Sequence, residues 1–303
     1  MHKIRVDIHI GVVVSSHAWV DGEGELYEEE IALGPIKMAA VRISGNEPVP
    51  PSNGELAEMF EPTILRLAKP VRDPGGVRRA VFRLQFETPE EAAAMYQDEA
   101  QRILDRSGGA VRIEVEPCAP PSPIALAAAA PPPGGEAYVQ PSSLVQADDP
   151  AIAAAAREAI GEETEAWKAA KRLERWTHER IRTKSLGVVF ASAKETLETR
   201  EGDCTEHAAL LVALCRAAGL PARAAAGLIY SEAIDGFGYH MWAEVYLDGW
   251  RDLDATRPGD PVDAMRIQLG ASALEDARFA SDLSVNLLKY LGRFSIEALQ
   301  AER

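Results

Sequence analysis

Nowhere in the 303 residues do about 18 apolar residues run together, so no segment reads as a transmembrane helix. Cysteine is scarce, with three residues at positions 118, 204 and 215. Cys204 and Cys215 fall on one predicted helix, 215 − 204 = 11 positions apart. At about 1.5 Å per residue that is roughly 16 Å, beyond the reach of a disulfide. Cys118 sits in a flexible stretch. A disulfide framework does not fit, and a free thiol stays available. Positive charge is also short: 32 Lys and Arg stand against 47 Asp and Glu, a net charge of −15. Nucleic acid and anionic membranes need clustered cations, so neither is expected as a partner. No cofactor or metal is expected. The start, MHKIRVDIHIGVVVSS, is too polar and too alternating for a signal peptide, which places the chain as given in the cytoplasm. A trimmed N-terminus would allow an extracytoplasmic site.

What is present is an ordinary globular composition, 47% apolar and 26% charged, enough for one large domain or two smaller ones. Residues 4–16 alternate and predict a strand. Two strand-like pieces flank DGEGE within residues 17–33, a hairpin signal, and residues 38–43 follow as another strand. Residues 57–68 predict a helix and 77–86 a strand. Thr88, Pro89, Glu90 and Glu91 open a predicted helix through Leu104, and 111–115 reads as a strand. Residues 1–116 thus read as an α+β domain without visible chemistry. The stretch PCAPPSPIALAAAAPPPGG, residues 117–135, is a semi-rigid linker or a surface-hugging segment. Residues 136–303 form the second domain. There, helices are predicted from the Asp148-Asp149-Pro150 cap through Ala159 and over 162–182, and a short segment, 191–199, follows. Strands are predicted over 223–230, 239–247 and 250–253, and a helix over 282–299 with a short terminal element. No internal repeat is visible.

At Arg200 the chain reads REGDCTEHAALLVALCRAAGLPAR. Asp203 and Glu206 form a capping box, and Gly219 and Pro221 end the helix. Cys204 therefore lies in the first turn. Free N–H groups and the helix dipole there lower a thiol's pKa and can hold an oxyanion. A plain buried cysteine is the alternative, and it is the reading for Cys215. A metal site pairing Cys204 with His207 lacks the second ligand pair that structural zinc needs. His207, one turn along the same helix face, bonds or packs locally and is a poor base for Cys204. His2, His9, His17 and His178 have no acidic or thiol context.

A second stretch reads GYHMWAEVYLDGWRDLDAT. His240, Trp242, Glu244 and Tyr246 share one strand face. A thiol–imidazole pair needs a third group to orient the ring, and Asp252 and Asp254 are the candidates. A two-residue Asp-Gly loop would put both aspartates on the face opposite His240. A three-residue loop, Leu247-Asp248-Gly249, pairs Tyr246 with Trp250 and places Asp254 diagonal to His240, with Gly249 in the left-handed position. If the pair is catalytic, the three-residue loop and Asp254 follow. Otherwise this is a solvated surface hairpin.

Together these blocks resemble the bacterial branch of the transglutaminase-like superfamily: Gly-Asp-Cys opening a helix with a Gly-Leu-Pro-Ala-Arg exit, then His-x-Trp-x-Glu, then Leu-Asp-x-Thr. The resemblance spans 138–299 and includes FASAKETLETREGDC. It implies a papain-like α+β fold, with the cysteine-bearing helix packed on an antiparallel sheet that carries His and Asp. It implies Cys204 as nucleophile, His240 as general base and later acid, and Asp254 as the group orienting His240. Ala255 stands where relatives more often have Pro. The backbone N–H of Cys204 is one oxyanion donor. An upstream Trp or Gln often adds a second, but no Gln lies between Gln146 and Cys204, and Trp176 reads as core. The implied chemistry is acyl transfer on a protein or peptide amide through a thioester, with hydrolysis ahead of amine cross-linking. None of the β-sandwich domains or calcium-ligand loops of animal cross-linking enzymes is visible. A binding or scaffold module that has lost activity is the competing reading. The acidic balance hints at basic substrate segments.

Overall fold

The computed structural model describes residues 64–183, 191–259, 262–275 and 294–303, together with the backbone of four strands between residues 2 and 41. Those strands are β1 (His2–His9), β2 (Val13–Val20), β3 (Leu26–Leu33) and β4 (Ile36–Val41), an antiparallel meander in chain order. The single strand expected over residues 4–16 is two strands, folded back so that His9 stands opposite Val13. The helix expected over 57–68 lies largely outside the described residues, and its end is a short strand instead, β5 (Leu65–Arg66).

A second sheet is built from β6 (Arg79–Phe86), β7 (Gln101–Ser107), β8 (Ala110–Val115) and the last strand of the chain, in the order β13-β6-β8-β7. Between β6 and β7 lies α1 (Pro89–Ala93), opened by a complete capping box from Thr88 to Glu91. It ends eleven residues before the expected Leu104. The Asp98 carboxylate accepts the amides of Ala100 and Gln101 at 2.9 and 2.8 Å and turns the chain, and residues 101–107 then pair with β8. Here sheet pairing overrides the local helix signal.

The segment after β8 hugs the surface. Leu126 N–H donates to the Thr164 carbonyl at 2.7 Å and Arg216 reaches the Gln140 carbonyl at 2.7 Å, so the Pro/Ala-rich stretch is tied down at its middle and again just beyond its end. Four helices follow: α2 (Pro150–Ile160), α3 (Ala166–Arg180), α4 (Ala193–Thr199) and α5 (Cys204–Ala217). Then come β9 (Ala222–Ser231), β10 (Gly236–Tyr246), β11 (Trp250–Leu253) and β12 (Arg266–Ser272), in the sheet order β11-β10-β9-β12, with β5 paired to the start of β10. Strand β12 has no counterpart in the sequence reading.

Helix α5 is the hub of this α+β core. Residues Leu210 through Cys215 are fully buried, so its apolar character runs all round rather than along one stripe. It packs with α2, α3 and α4 and against Met241, Ala243 and Val245 of β10. The alanines Ala222, Ala224 and Ala226 of β9 let the helix lie close to the sheet. Beyond the far end of β9 and β10, Leu228, Tyr230 and Phe237 join a second cluster with Phe82 and Ile113 of the second sheet. Phe82 meets Phe237 edge-on at 5.5 Å.

The last element, β13 (Phe294–Glu302), is a strand where the sequence predicts helix to Leu299; the earlier part of that helix lies outside the described residues. Its alternation decides the matter: Phe294 and Ile296 face the core while Ser295 and Glu297 are exposed. Phe294 stacks on Phe86 at 5.0 Å. Phe294→Ala is expected to lower unfolding stability by about 3 kcal/mol through the cavity it leaves. Urea denaturation checks this, and a loss under about 1 kcal/mol would contradict the docked strand.

Candidate active site

The site is built from the hairpin and from the first turn of α5. Tyr246 pairs with Trp250, Val245 with Arg251, Glu244 with Asp252 and Ala243 with Leu253. This is the three-residue register, closed by Leu247 N–H on the Gly249 carbonyl at 2.9 Å. The left-handed residue is Asp248, with φ +55°, and Gly249 takes φ +118°. The sequence assigned that position to the glycine; aspartate tolerates it because its short side chain can bond locally. Arg251 fastens the turn by donating to the Asp248 carbonyl at 3.3 Å.

This register puts Asp254 beside His240. The His240 Nε2 to Asp254 Oδ2 distance is 2.9 Å, and both residues are buried. The other carboxylate oxygen accepts the Thr256 hydroxyl at 2.6 Å and the Thr256 amide at 3.1 Å. Burial opposes ionisation of Asp254, but His240, Arg266 and Thr256 together hold its carboxyl well below the usual range. An ionised carboxylate only accepts, so His240 Nε2 carries the proton and Nδ1 is the basic nitrogen of the neutral ring. The His240 ring also lies flat against Trp242, 6.2 Å between centroids and 19° between planes. Trp242 Nε1–H donates to Asp252 at 2.9 Å. Asp252, the other candidate orienting acid, thus serves the tryptophan and not the histidine.

Cys204 opens α5. Asp203 caps the helix, accepting the Thr205 amide at 2.9 Å, while Glu206 reaches back to the Asp203 amide at 3.0 Å. Gly202 is required by close approach: a Cβ there would lie 2.3 Å from the Glu206 Cβ. The Met241 backbone N–H points to the Cys204 sulfur, which places the thiol against the strand at the residue after His240. His207 is occupied locally, its Nδ1 2.6 Å from the Asp203 carbonyl. Cys215 is fully buried and Cys118 is half-buried.

Residues 153–255 match the family model of the transglutaminase-like superfamily. This segment is a transglutaminase-like core. Among solved structures, the chain is similar to a protein of Cytophaga hutchinsonii described as a candidate cysteine protease, at 16% identity over 73% of this chain and 82% of that one, with a TM-score of 0.46. It is also similar to the periplasmic domain of TgpA from Pseudomonas aeruginosa. With ethylmercury bound, that domain gives 17% identity over 62% of this chain and 94% of that one, TM-score 0.39. Without it, the values are 17%, 61% and 90%, with a TM-score of 0.38. No curated protein matches the chain.

In this transglutaminase-like core the thiol departs from expectation. The helix N-terminus was expected to lower its pKa, yet it is raised to about 12. Burial is the main cause, though the residue as a whole is half-buried. The nearby Asp203, Asp254 and Glu206 add to the effect, and the Met241 N–H opposes it. Trp176 is not an oxyanion donor, since its indole N–H faces Glu158 at 3.3 Å on the helix surface. The backbone N–H of Cys204 has no partner among the described residues, so it stays available for that role.

The core also contains supports that the sequence reading missed. Glu174 of α3 is buried and accepts the Asp254 backbone N–H at 2.8 Å, with Lys171 as its ion-pair partner. Burial pushes its carboxyl up to about 7. Its signal was there: Ala166, Ala170, Leu173 and Thr177 mark the buried face of α3, and Glu174 falls on it. Among the described residues no group of three or more His, Cys, Asp and Glu side chains is arranged to hold a metal ion, and no helix is long and apolar enough to cross a membrane.

A neutral, enclosed thiol should alkylate slowly. At pH 7, Cys204 is expected to react with a small neutral reagent at least about tenfold more slowly than a free cysteine of pKa about 8.5, and to accelerate with pH beyond 9. Mass-spectrometric rates across pH check this. Fast labelling at pH 7 that disappears in His240→Ala would instead mean a preformed thiolate–imidazolium pair.

Proposed function

We propose that the chain is a cysteine acyl-transfer enzyme acting on protein or peptide amides, with Cys204 as nucleophile, His240 as general base and acid, and Asp254 as the group that orients His240. The observation that carries this reading is the buried 2.9 Å contact between His240 Nε2 and Asp254, which leaves Nδ1 as the base. The placement of the Cys204 sulfur against the Met241 amide supports it.

With the thiol neutral at rest, the proton leaves as the substrate is attacked. His240 Nδ1 takes it, the sulfur adds to the amide carbon, and the new oxyanion meets the N-terminus of α5. The C–N bond then breaks, His240 returns the proton to the departing ammonia or amine, and a thioester remains on Cys204. Water, deprotonated by His240, attacks the thioester and yields a carboxylic acid and the free thiol. Hydrolysis is the leading outcome. A lysine amine in place of water would give a cross-link, and the amide product regenerates the thiol in the same way.

The full chain offered glutamine-containing peptides and unfolded proteins should release ammonia or create new N-termini. Cys204→Ala should abolish this, and His240→Ala should lower kcat/KM by about a hundredfold or more. Adding a primary amine separates hydrolysis from transamidation by the mass of the product. A second reading, a transglutaminase-like scaffold without turnover, is favoured by one observation, the enclosed sulfur with its raised pKa. It would be established if the wild type and Cys204→Ala behaved alike on every substrate offered.

A further inference from the structure

Arg266 begins β12, on the same sheet face as His240, because Arg266 pairs with Ile229 and Ile229 with Gly238, two residues before the histidine. Its side chain is 7% exposed. The guanidinium lies 5.2 Å from the Trp242 ring centre, 3.6 Å from Asp252 Oδ2 and 4.0 Å from Asp254 Oδ2. Among the described residues its Nε and Nη1 atoms have no hydrogen-bond partner. A buried guanidinium with two N–H groups unsatisfied is costly, and well-formed bonds would be expected if it served only to tie the sheet together.

The charges around it explain its place. Three carboxylates line this face: Glu244 and Asp254 are buried, and Asp252 is partly buried. Arg223 is committed to Glu244 at 2.6 Å and to the Tyr96 hydroxyl at 2.9 Å. Arg266 is left with two aspartates. We propose that Arg266 is a positioning residue for the His240–Asp254 pair: it is the counter-charge that Asp252 and Asp254 share, and it leaves one unbalanced negative charge that protonated His240 neutralises. The inference rests on the reading of His240 as the base. The sharing holds Asp254 ionised while the ring is neutral, and it makes the protonated ring, formed when Cys204 gives up its proton, the balanced state. The other titratable and charged groups around the pair are Cys204 and His207 from α5 and, from α3, His178 on the Ala255 carbonyl at 2.8 Å and Glu174, which accepts the Asp254 backbone N–H and pairs with Lys171.

The test is the titration of the His240 imidazole by NMR in the full chain, its signals assigned by their loss in His240→Ala. Removing the shared cation strengthens the negative field, so Arg266→Gln should raise the His240 midpoint by about one pH unit or more. Arg266→Lys should stay near wild type. Asp252→Asn removes the competing carboxylate and should lower the midpoint. A folded Arg266→Gln protein with an unchanged midpoint would overturn the proposal, as would a rise in Asp252→Asn. Should Arg266→Gln fail to fold, Asp252→Asn decides alone: a fall supports the sharing, and no change or a rise refutes it. These titrations need no substrate. Absence of turnover would therefore count against the enzyme reading alone, and immobile midpoints in an active enzyme against Arg266 alone.

Discussion

A buried carboxylate beside a buried imidazole is the constraint on which the rest of the site depends. Asp254 is 1% exposed and stays ionised, which a protein interior permits only where hydrogen bonds and counter-charges surround the group. Each neighbouring element supplies one. Thr256 occupies one carboxylate oxygen, His240 the other, Glu174 takes the backbone N–H, and Arg266 provides a fixed positive charge. The three-residue hairpin loop is part of the same requirement, because a one-residue change of register would carry Asp254 to the opposite face.

The helix side of the site answers a different demand. The N-terminus of α5 has to come up against β10 closely enough for the Met241 amide to meet the Cys204 sulfur. Gly202 leaves room for Glu206 to fold back on it, and the reciprocal Asp203–Glu206 cap fixes the first turn. Burial at this contact, with Asp203, Asp254 and Glu206 nearby, raises the thiol's pKa. A helix dipole acts within one turn and amounts to a partial charge, whereas desolvation acts on the whole charge of a thiolate, so desolvation prevails. The consequence is a thiol that burial disfavours as a thiolate.

Much of this was legible in the residues. The Asp203–Glu206 cap, the Gly219 stop and the Asp-Gly turn are local signals, and they placed α5 and the hairpin's turn within a residue or two, while the first hairpin strand starts three residues earlier than read. Register followed from asking where an orienting acid has to stand. What stayed hidden depends on distant partners. Strand β12 carries a register shift between Gln268 and Gly270, which breaks the alternation that marks a strand. Residues 101–104 read as the end of a helix until β8 is there to pair with them. The thiol's raised pKa could not be read from the first turn alone, because it comes chiefly from burial in the folded core, to which Asp254 adds from fifty residues downstream. Glu174 was visible as an acid on an apolar helix face, yet only the fold shows that it receives the Asp254 amide.

The most direct measurement is intact-mass analysis of the full chain, quenched in acid within milliseconds to seconds of mixing with an activated acyl donor such as a glutamine-mimicking ester. The account predicts a single acyl adduct, mapped to Cys204 and discharged by hydroxylamine, that forms far more slowly in His240→Ala. A wild-type protein that never acquires the adduct, or acquires it equally fast without His240, would contradict it.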